Sequence, residues 1–202
     1  MRITKDRALI NAMGFPGRGV DYAASRLQRL SERDRERVFV SVSGEDDAQI
    51  GDCYMRLEPL AAAVEINISS PNTAGLDVFH EPERLRSLVA GLPRRHGRPC
   101  FVKLPRLAER DALVELASAA VDGGADGVVV ANTLPVEDSR LAVGRGGLSG
   151  RPILESTLES VAAVREALPA EKVVIACGGI SSAADAAHAL DAGATAVQLY
   201  SA

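Results

Sequence analysis

Ala120-Val121-Asp122-Gly123-Gly124-Ala125, running on into Val128-Val129-Val130, decides the fold. It reads as the end of a helix, a glycine stop and an immediate buried strand. Glycine suits the left-handed residue that closes a helix, and alanine lets helix and strand pack closely. The same unit recurs at Ala189-Leu190-Asp191-Ala192-Gly193-Ala194, which runs into Val197-Gln198-Leu199. A repeated helix-to-strand unit favours a barrel over a doubly wound sheet.

Working outward, short runs rich in β-branched residues mark six strands: Val38 to Val42, Val64 to Ile68, Cys100 to Leu104, Val128 to Ala131, Val173 to Ala176 and Ala196 to Leu199. Such runs suit strands buried on both faces. Helical patterns lie between them: Asp47 to Leu57, Glu81 to Leu92, Glu109 to Asp122, Leu154 to Leu168 and Ala183 to Asp191. Leu154, Leu158, Val161, Val164 and Leu168 have the three-to-four residue spacing of one buried helix face. Alternation of β and α elements predicts a parallel sheet with right-handed crossovers. A closed (β/α)₈ TIM barrel has eight strands in about 250 residues. The 202 residues here supply six, and polar Arg2-Ile3-Thr4-Lys5-Asp6-Arg7 predicts no strand ahead of the first helix. The expectation is a single α/β domain over residues 1–202, a TIM barrel lacking its first two strands and last helix, with an open six-stranded sheet as the alternative. An exposed barrel edge would also favour self-association.

Composition narrows the function classes. Hydrophobic residues make up 47% and charged residues 25% of the chain, as in a globular domain. A net charge of −4, 3% aromatic residues and the lack of a basic run with interleaved aromatics argue against nucleic acid as a partner. Arg94-Arg95-His96-Gly97-Arg98 reads as a solvated turn before a strand. No apolar stretch reaches the roughly 20 residues needed to span a bilayer. Cys53, Cys100 and Cys177 form no CxxC pair, which points to a reducing compartment, and Cys100 and Cys177, beside apolar strand runs, read as core thiols. His80, His96 and His188 are scattered and imply no metal site.

Chemistry concentrates in Asn67-Ile68-Ser69-Ser70-Pro71-Asn72-Thr73, directly after a strand. In a barrel, that edge carries the site. Two long loops, from Ser69 to about Pro82 and from Asn132 to about Pro152, exceed the usual connector length of about 2–6 residues. Lys103, inside the apolar run Phe101-Val102-Lys103-Leu104, needs an anionic partner or a ligand. Asn132-Thr133 ends its strand at the same mouth. Gly178-Gly179 and Tyr200-Ser201 follow the last two strands, where barrels of this kind hold phosphate groups, and Ser181-Ser182 suits a helix cap.

These residues together resemble the dihydroorotate dehydrogenase family. The resemblance rests on Asn11-Ala12-Met13-Gly14-Phe15, the Asn67 to Thr73 run, Val102-Lys103, Ala131-Asn132-Thr133, Gly146-Gly147-Leu148-Ser149-Gly150-Arg151-Pro152, Gly178-Gly179-Ile180 and Val197-Gln198-Leu199-Tyr200-Ser201. It implies FMN as cofactor, dihydroorotate as substrate and orotate as product, within pyrimidine synthesis. Ser70 would be the catalytic base, the choice of class 2 members, which pass electrons to a quinone. Asn67, Asn72, Asn132 and Thr133 would hold the substrate, with Asn11, Gly14 and Phe15 completing its pocket. Asn67 and Lys103 would contact the flavin, and Gly150, Gly179, Tyr200 and Ser201 its ribityl and phosphate. The class implies a cytoplasmic protein, peripheral on the membrane through an anchoring helical pair that this sequence does not contain.

Three residues depart from the pattern: Ser41 in place of a flavin-contacting asparagine, Asp77 in place of an arginine, and Arg106 where the family is often acidic. Two other readings stand beside this one: a different FMN barrel acting on a dihydropyrimidine, and a non-catalytic fragment or subunit that needs a complementary segment.

Overall fold

A computed structural model of the chain describes residues 1–70 and 75–200. Six parallel strands form its centre: β3 (Phe39–Val42), β4 (Ala63–Asn67), β5 (Cys100–Lys103), β6 (Gly127–Val130), β9 (Val173–Cys177) and β10 (Ala196–Gln198). They lie side by side in chain order, each paired only with its neighbours among the described residues. This is an arc of a barrel wall. Helices α3 (Asp47–Leu57), α4 (Pro82–Ala90), α5 (Arg110–Asp122), α6 (Leu154–Ala167) and α7 (Ala183–Asp191) cover its outer face. All six strands and five helices match the sequence reading to within a few residues.

The helix-to-strand unit behaves as expected in both copies. Gly124 (φ 103°) and Gly193 (φ 102°) take the left-handed conformation just past α5 and α7. The Ala125 amide then donates to Ala120 O at 3.0 Å, and the Ala194 amide to Ala189 O at 3.0 Å. These six-to-one bonds satisfy carbonyls that a helix end leaves orphaned. The next residue enters the ladder at once, with Asp126 N on Cys100 O (2.8 Å) and Thr195 N on Val174 O (2.7 Å). Helix starts are equally local: Asp46 accepts from Gln49 N at 2.8 Å, and Ser182 from Asp185 N at 3.1 Å.

Alternate residues along each strand divide the interior. Val64, Ile66 and Ile68, Cys100 and Val102, and Val128 and Val130 join Ile50, Leu85, Leu116 and Val161 in the core under the helices. Ala63, Phe101, Val129, Ile175 and Cys177 form a smaller apolar cluster on the inner face. Cys100 and Cys177 are thus buried thiols, and burial pushes Cys100 up to about 12.

Two sequence expectations fail. Strands do precede the first helix: β1 (Arg2–Ile3) and β2 (Ala8–Asn11). The long segment after Asn132 is no bare loop either, since it holds β7 (Leu134–Glu137) and β8 (Arg145–Gly150). Together these make a four-stranded antiparallel sheet in the order β1-β2-β8-β7. Its glycines allow close pairing: a Cβ on Gly146 would meet Asn11 O at 2.6 Å, and one on Gly150 would meet Arg7 O at 2.2 Å. Helices α1 (Val20–Gln28) and α2 (Glu32–Arg35) also join the set.

The basic patch is not simply solvated. Buried Glu58 accepts from the amides of Arg95 (3.0 Å) and His96 (3.1 Å), and Arg94 pairs with Asp126 and donates to Gly124 O. This fastens the start of β5 to the repeat unit.

Candidate active site

The parallel strands all end at one rim. There β4 presents Asn67, β5 Lys103 and β10 Gln198, while Asn132 follows β6 and Gly178 follows β9. The antiparallel sheet supplies the facing wall through Leu9, Asn11 and Ser149. Between them lies a cleft of about 420 Å³. That is within the range of roughly 300–1,000 Å³ usual for small-molecule sites.

Most of the residues singled out from the sequence line this cleft: Asn11, Gly14, Phe15, Asn67, Ser70, Lys103, Asn132, Thr133, Gly179 and Tyr200. Gly150 does not, because its bare Cα is needed against Arg7 and Ala8 in the antiparallel sheet. Asn72 and Ser201 lie outside the described residues.

The tandem serines differ in position. Ser69 is 3% exposed and is built into the frame. Its hydroxyl donates to Asn67 Oδ1 at 2.7 Å and accepts from Asn132 Nδ2 at 2.9 Å. Asn132 Nδ2 also donates to Ser69 O at 2.8 Å, and Asn132 Oδ1 accepts from Thr133 N at 2.7 Å. His80 holds the same turn from outside through Ile68 O, 2.9 Å from Nε2. Ser70, one residue on, lines the cleft. Ser69 therefore locks the two amides, and Asn67, Asn132 and Ser70 line one cleft.

Behind Asn132 stands Arg106. Its Nε donates to Asn132 O (3.1 Å), and its guanidinium reaches Ser156 Oγ (3.0 Å) and Thr157 Oγ1 (2.8 Å) in the first turn of α6. Burial holds this guanidinium below its usual range.

Gly178 (φ 126°) and Gly179 (φ 75°) form a turn that only glycine adopts without strain. A Cβ on Gly179 would meet Leu154 N at 2.6 Å, so the turn is pressed against the start of α6. Asp185 braces the next residues. The Ser181 amide (3.0 Å) is the first cause holding its carboxyl at about 2, followed by the Ser182 and Ser181 hydroxyls and Arg151 (2.7 Å).

The sequence reading gave Glu65, Gln198 and Cys177 no site role, and Ser41 entered it only as a departure from the family pattern. Gln198 accepts from Lys103 Nζ at 2.8 Å and donates to Glu65 at 3.1 Å, and Ser41 donates to Glu65 at 2.7 Å. Glu65 stands two residues before Asn67 on the same strand face, a spacing that marks it as an inward carboxylate. The Cys177 thiol also lines the cleft. Burial first, then Glu65, pushes its titration up, while Lys103 pulls it down. Among the described residues, no group of three or more His, Cys, Asp or Glu side chains could hold a metal ion. Nor is any helix among them long and apolar enough to cross a membrane.

Fold and cleft together define a barrel-type α/β domain with a small-molecule site at the carboxyl ends of its parallel strands. Comparison with known proteins makes this specific. The family model described as Dihydroorotate dehydrogenase matches residues 1–202. A dihydroorotate dehydrogenase (quinone) from Clavibacter michiganensis subsp. michiganensis is 41% identical over 100% of this chain and 63% of its own length. One from Leifsonia xyli subsp. xyli is 36% identical with the same coverage. A crystal structure of DHODH from Eimeria tenella in complex with ferulenol superposes with a TM-score of 0.83 at 29% identity, covering 100% of this chain and 64% of that one. The chain belongs to the dihydroorotate dehydrogenase family, and it spans 63% of the length of these curated relatives.

Proposed function

We propose that the cleft is the site at which dihydroorotate is oxidised to orotate, with FMN as the bound hydride acceptor and a quinone as the final electron acceptor. One observation carries this reading: Ser70 lines the cleft directly after Ser69, which locks the amides of Asn67 and Asn132, with Lys103 on the adjacent strand. Removal of a ring proton needs a base within hydrogen-bond reach, and Ser70 is the cleft-facing hydroxyl of the pair. A serine is weak alone, so a neighbouring acceptor or water must carry the proton away. Asn67, Asn132 and Thr133 match a planar ring bearing amide groups and a carboxylate, with Asn72 assigned to the same ring on the family pattern. Asn11, Gly14 and Phe15 close the pocket from the antiparallel side.

The donor set also fits a flavin. Lys103 supplies a cation at the rim, and the Gly178-Gly179 turn supplies backbone amides beside Tyr200. Ile153 and Ile180 give that end an apolar flank. When bound, FMN supplies the hydride acceptor. The chain's own part is to orient the ring, hold the proton acceptor and place positive charge where negative charge develops. Gly179, Tyr200 and Ser201 are assigned to the ribityl phosphate. Gly150 then acts by shaping the wall rather than by touching the cofactor.

The quinone in the relatives' names supports a cytoplasmic protein at the membrane surface. Among the described residues the outer edges of β3 and β10 are unpaired, and with Phe39 55% exposed they support self-association through the open side of the arc. Sedimentation of the purified chain tests that association.

The test of function is the visible absorbance of the purified chain before and after dihydroorotate. A flavin band that bleaches on addition is the expected result. A chain that takes up no flavin even from added FMN overturns the reading.

A further inference from the structure

Glu65 is a carboxylate that the proposed chemistry does not use. It is 5% exposed and sits on the inner face of β4, a layer beneath the cleft. No ion pair among the described residues includes it. A buried carboxylate without compensation is strongly disfavoured, so its surroundings must answer for the charge.

They do so through one amide. Glu65 accepts from Ser41 Oγ at 2.7 Å and from Gln198 Nε2 at 3.1 Å, and the other end of Gln198, Oε1, accepts from Lys103 Nζ at 2.8 Å. An ionised carboxylate only accepts and an ammonium only donates. The amide between them is therefore fixed in one orientation, with NH₂ toward Glu65 and oxygen toward Lys103. Glu65 and Lys103 form an ion pair bridged by an amide. Both charges also bear on the Cys177 thiol, in opposite senses. Ser41 lies opposite Glu65 in the ladder, so the departure at Ser41 has a partner in place.

We propose that Glu65 is a positioning residue: through Gln198 it tethers the Lys103 ammonium at the cleft and offsets its charge there. The proposal rests on Lys103 as the flavin contact. Two consequences follow from the geometry. Lys103 is held in one place before any ligand arrives. A flavin beside it meets a smaller positive field than an unpaired lysine would give, so loss of the Glu65 charge makes bound flavin easier to reduce.

The first arm of the test needs no cofactor. The chain has three lysines, Lys5, Lys103 and Lys172, so their ¹⁵N ammonium signals are separable by NMR. Lys172 Nζ donates to Ala125 O at 2.9 Å, far from the tether, and serves as internal control. Glu65→Gln keeps the side-chain shape, removes the charge and turns one of the two accepting oxygens into a donor. It should shift the Lys103 signal and speed its proton exchange several-fold, leaving Lys172 unchanged. Gln198→Met should do the same, and it decides the matter if Glu65→Gln does not fold. An unaltered Lys103 signal in either folded variant overturns the tether. The second arm measures the midpoint potential of bound flavin, which should move positive in Glu65→Gln. An unmoved potential overturns the charge-offset role. A wild-type chain that binds no flavin defeats the proposed function instead, while the first arm still decides the tether.

Discussion

The two faces of the parallel sheet are made by the same strands and do different work. On β4, Val64 and Ile66 enter the large core under the helices, while Ala63, Glu65 and Asn67 face inward. On β5 the division is Cys100 and Val102 against Phe101 and Lys103. The outer face is continuous apolar packing, insensitive to chemistry and sensitive to volume. The inner face is a thin apolar floor with a polar network above it, where geometry matters more than bulk. The contrast teaches that one strand sequence, read at period two, encodes stability on one side and a site on the other.

Four measurements would break or sharpen that division. The largest effect is expected on the inner side: Ser70→Ala in the flavin-loaded protein should lower turnover by roughly 10²–10⁴-fold, the usual contribution of a positioned base. Near-normal turnover would end the assignment of Ser70 as base. On the outer side, Leu116→Ala removes a fully buried side chain and should cost about 2–5 kcal/mol in urea unfolding. Turnover per folded molecule should stay unchanged, and a specific loss would show that the faces are coupled.

Ser69→Ala lies on the boundary. It orphans contacts of Asn67 and Asn132, so a stability loss of about 1–3 kcal/mol should come with weaker orotate binding measured by calorimetry. Loss of either effect without the other would assign Ser69 to one face only.

The smallest effect is at Asp185. Its carboxyl is held at about 2, below the ordinary value of about 3.9 for an unfolded chain. The unfolded state therefore binds its proton first as pH falls. The stabilisation is fully present above about pH 4 and disappears as pH falls toward about 2. Asp185→Asn should flatten the acid limb of the thermal melting profile in that window and leave the neutral region parallel.

Much of the fold was legible because it is local. Caps, the Gly-Ala helix stops and the β-branched runs are each written within a few consecutive residues. The antiparallel sheet was not legible, for physical reasons. Arg145-Gly146-Gly147-Leu148-Ser149-Gly150 has too few side chains to show a period, and β1 is only two residues long. Its strands form because distant segments meet, with Asn11 opposite Gly147. At the site, residue types at strand ends were readable, and ten of them line the cleft. The family pattern singled out Ser70 over Ser69, but residue type and spacing alone do not separate them, since the turn is fastened by Asn132, 63 positions away from Ser69. The Glu65 and Gln198 contact, spanning 133 positions, was equally hidden.

The pairing of β2 with β8 has a kinetic consequence. The parallel strands pair with neighbours in chain order except where β6 meets β9 across the β7–β8 hairpin, so each closes a modest loop. The wall over the cleft joins Asn11 to Gly147 across 136 positions. Long closures cost more entropy and come later in folding. As the chain refolds, hydrogen-exchange protection should reach the parallel strands first and the amides of residues 8–11 last. The cleft therefore acquires its second wall only after its first is complete, and an early-folding species presents the strand ends uncovered.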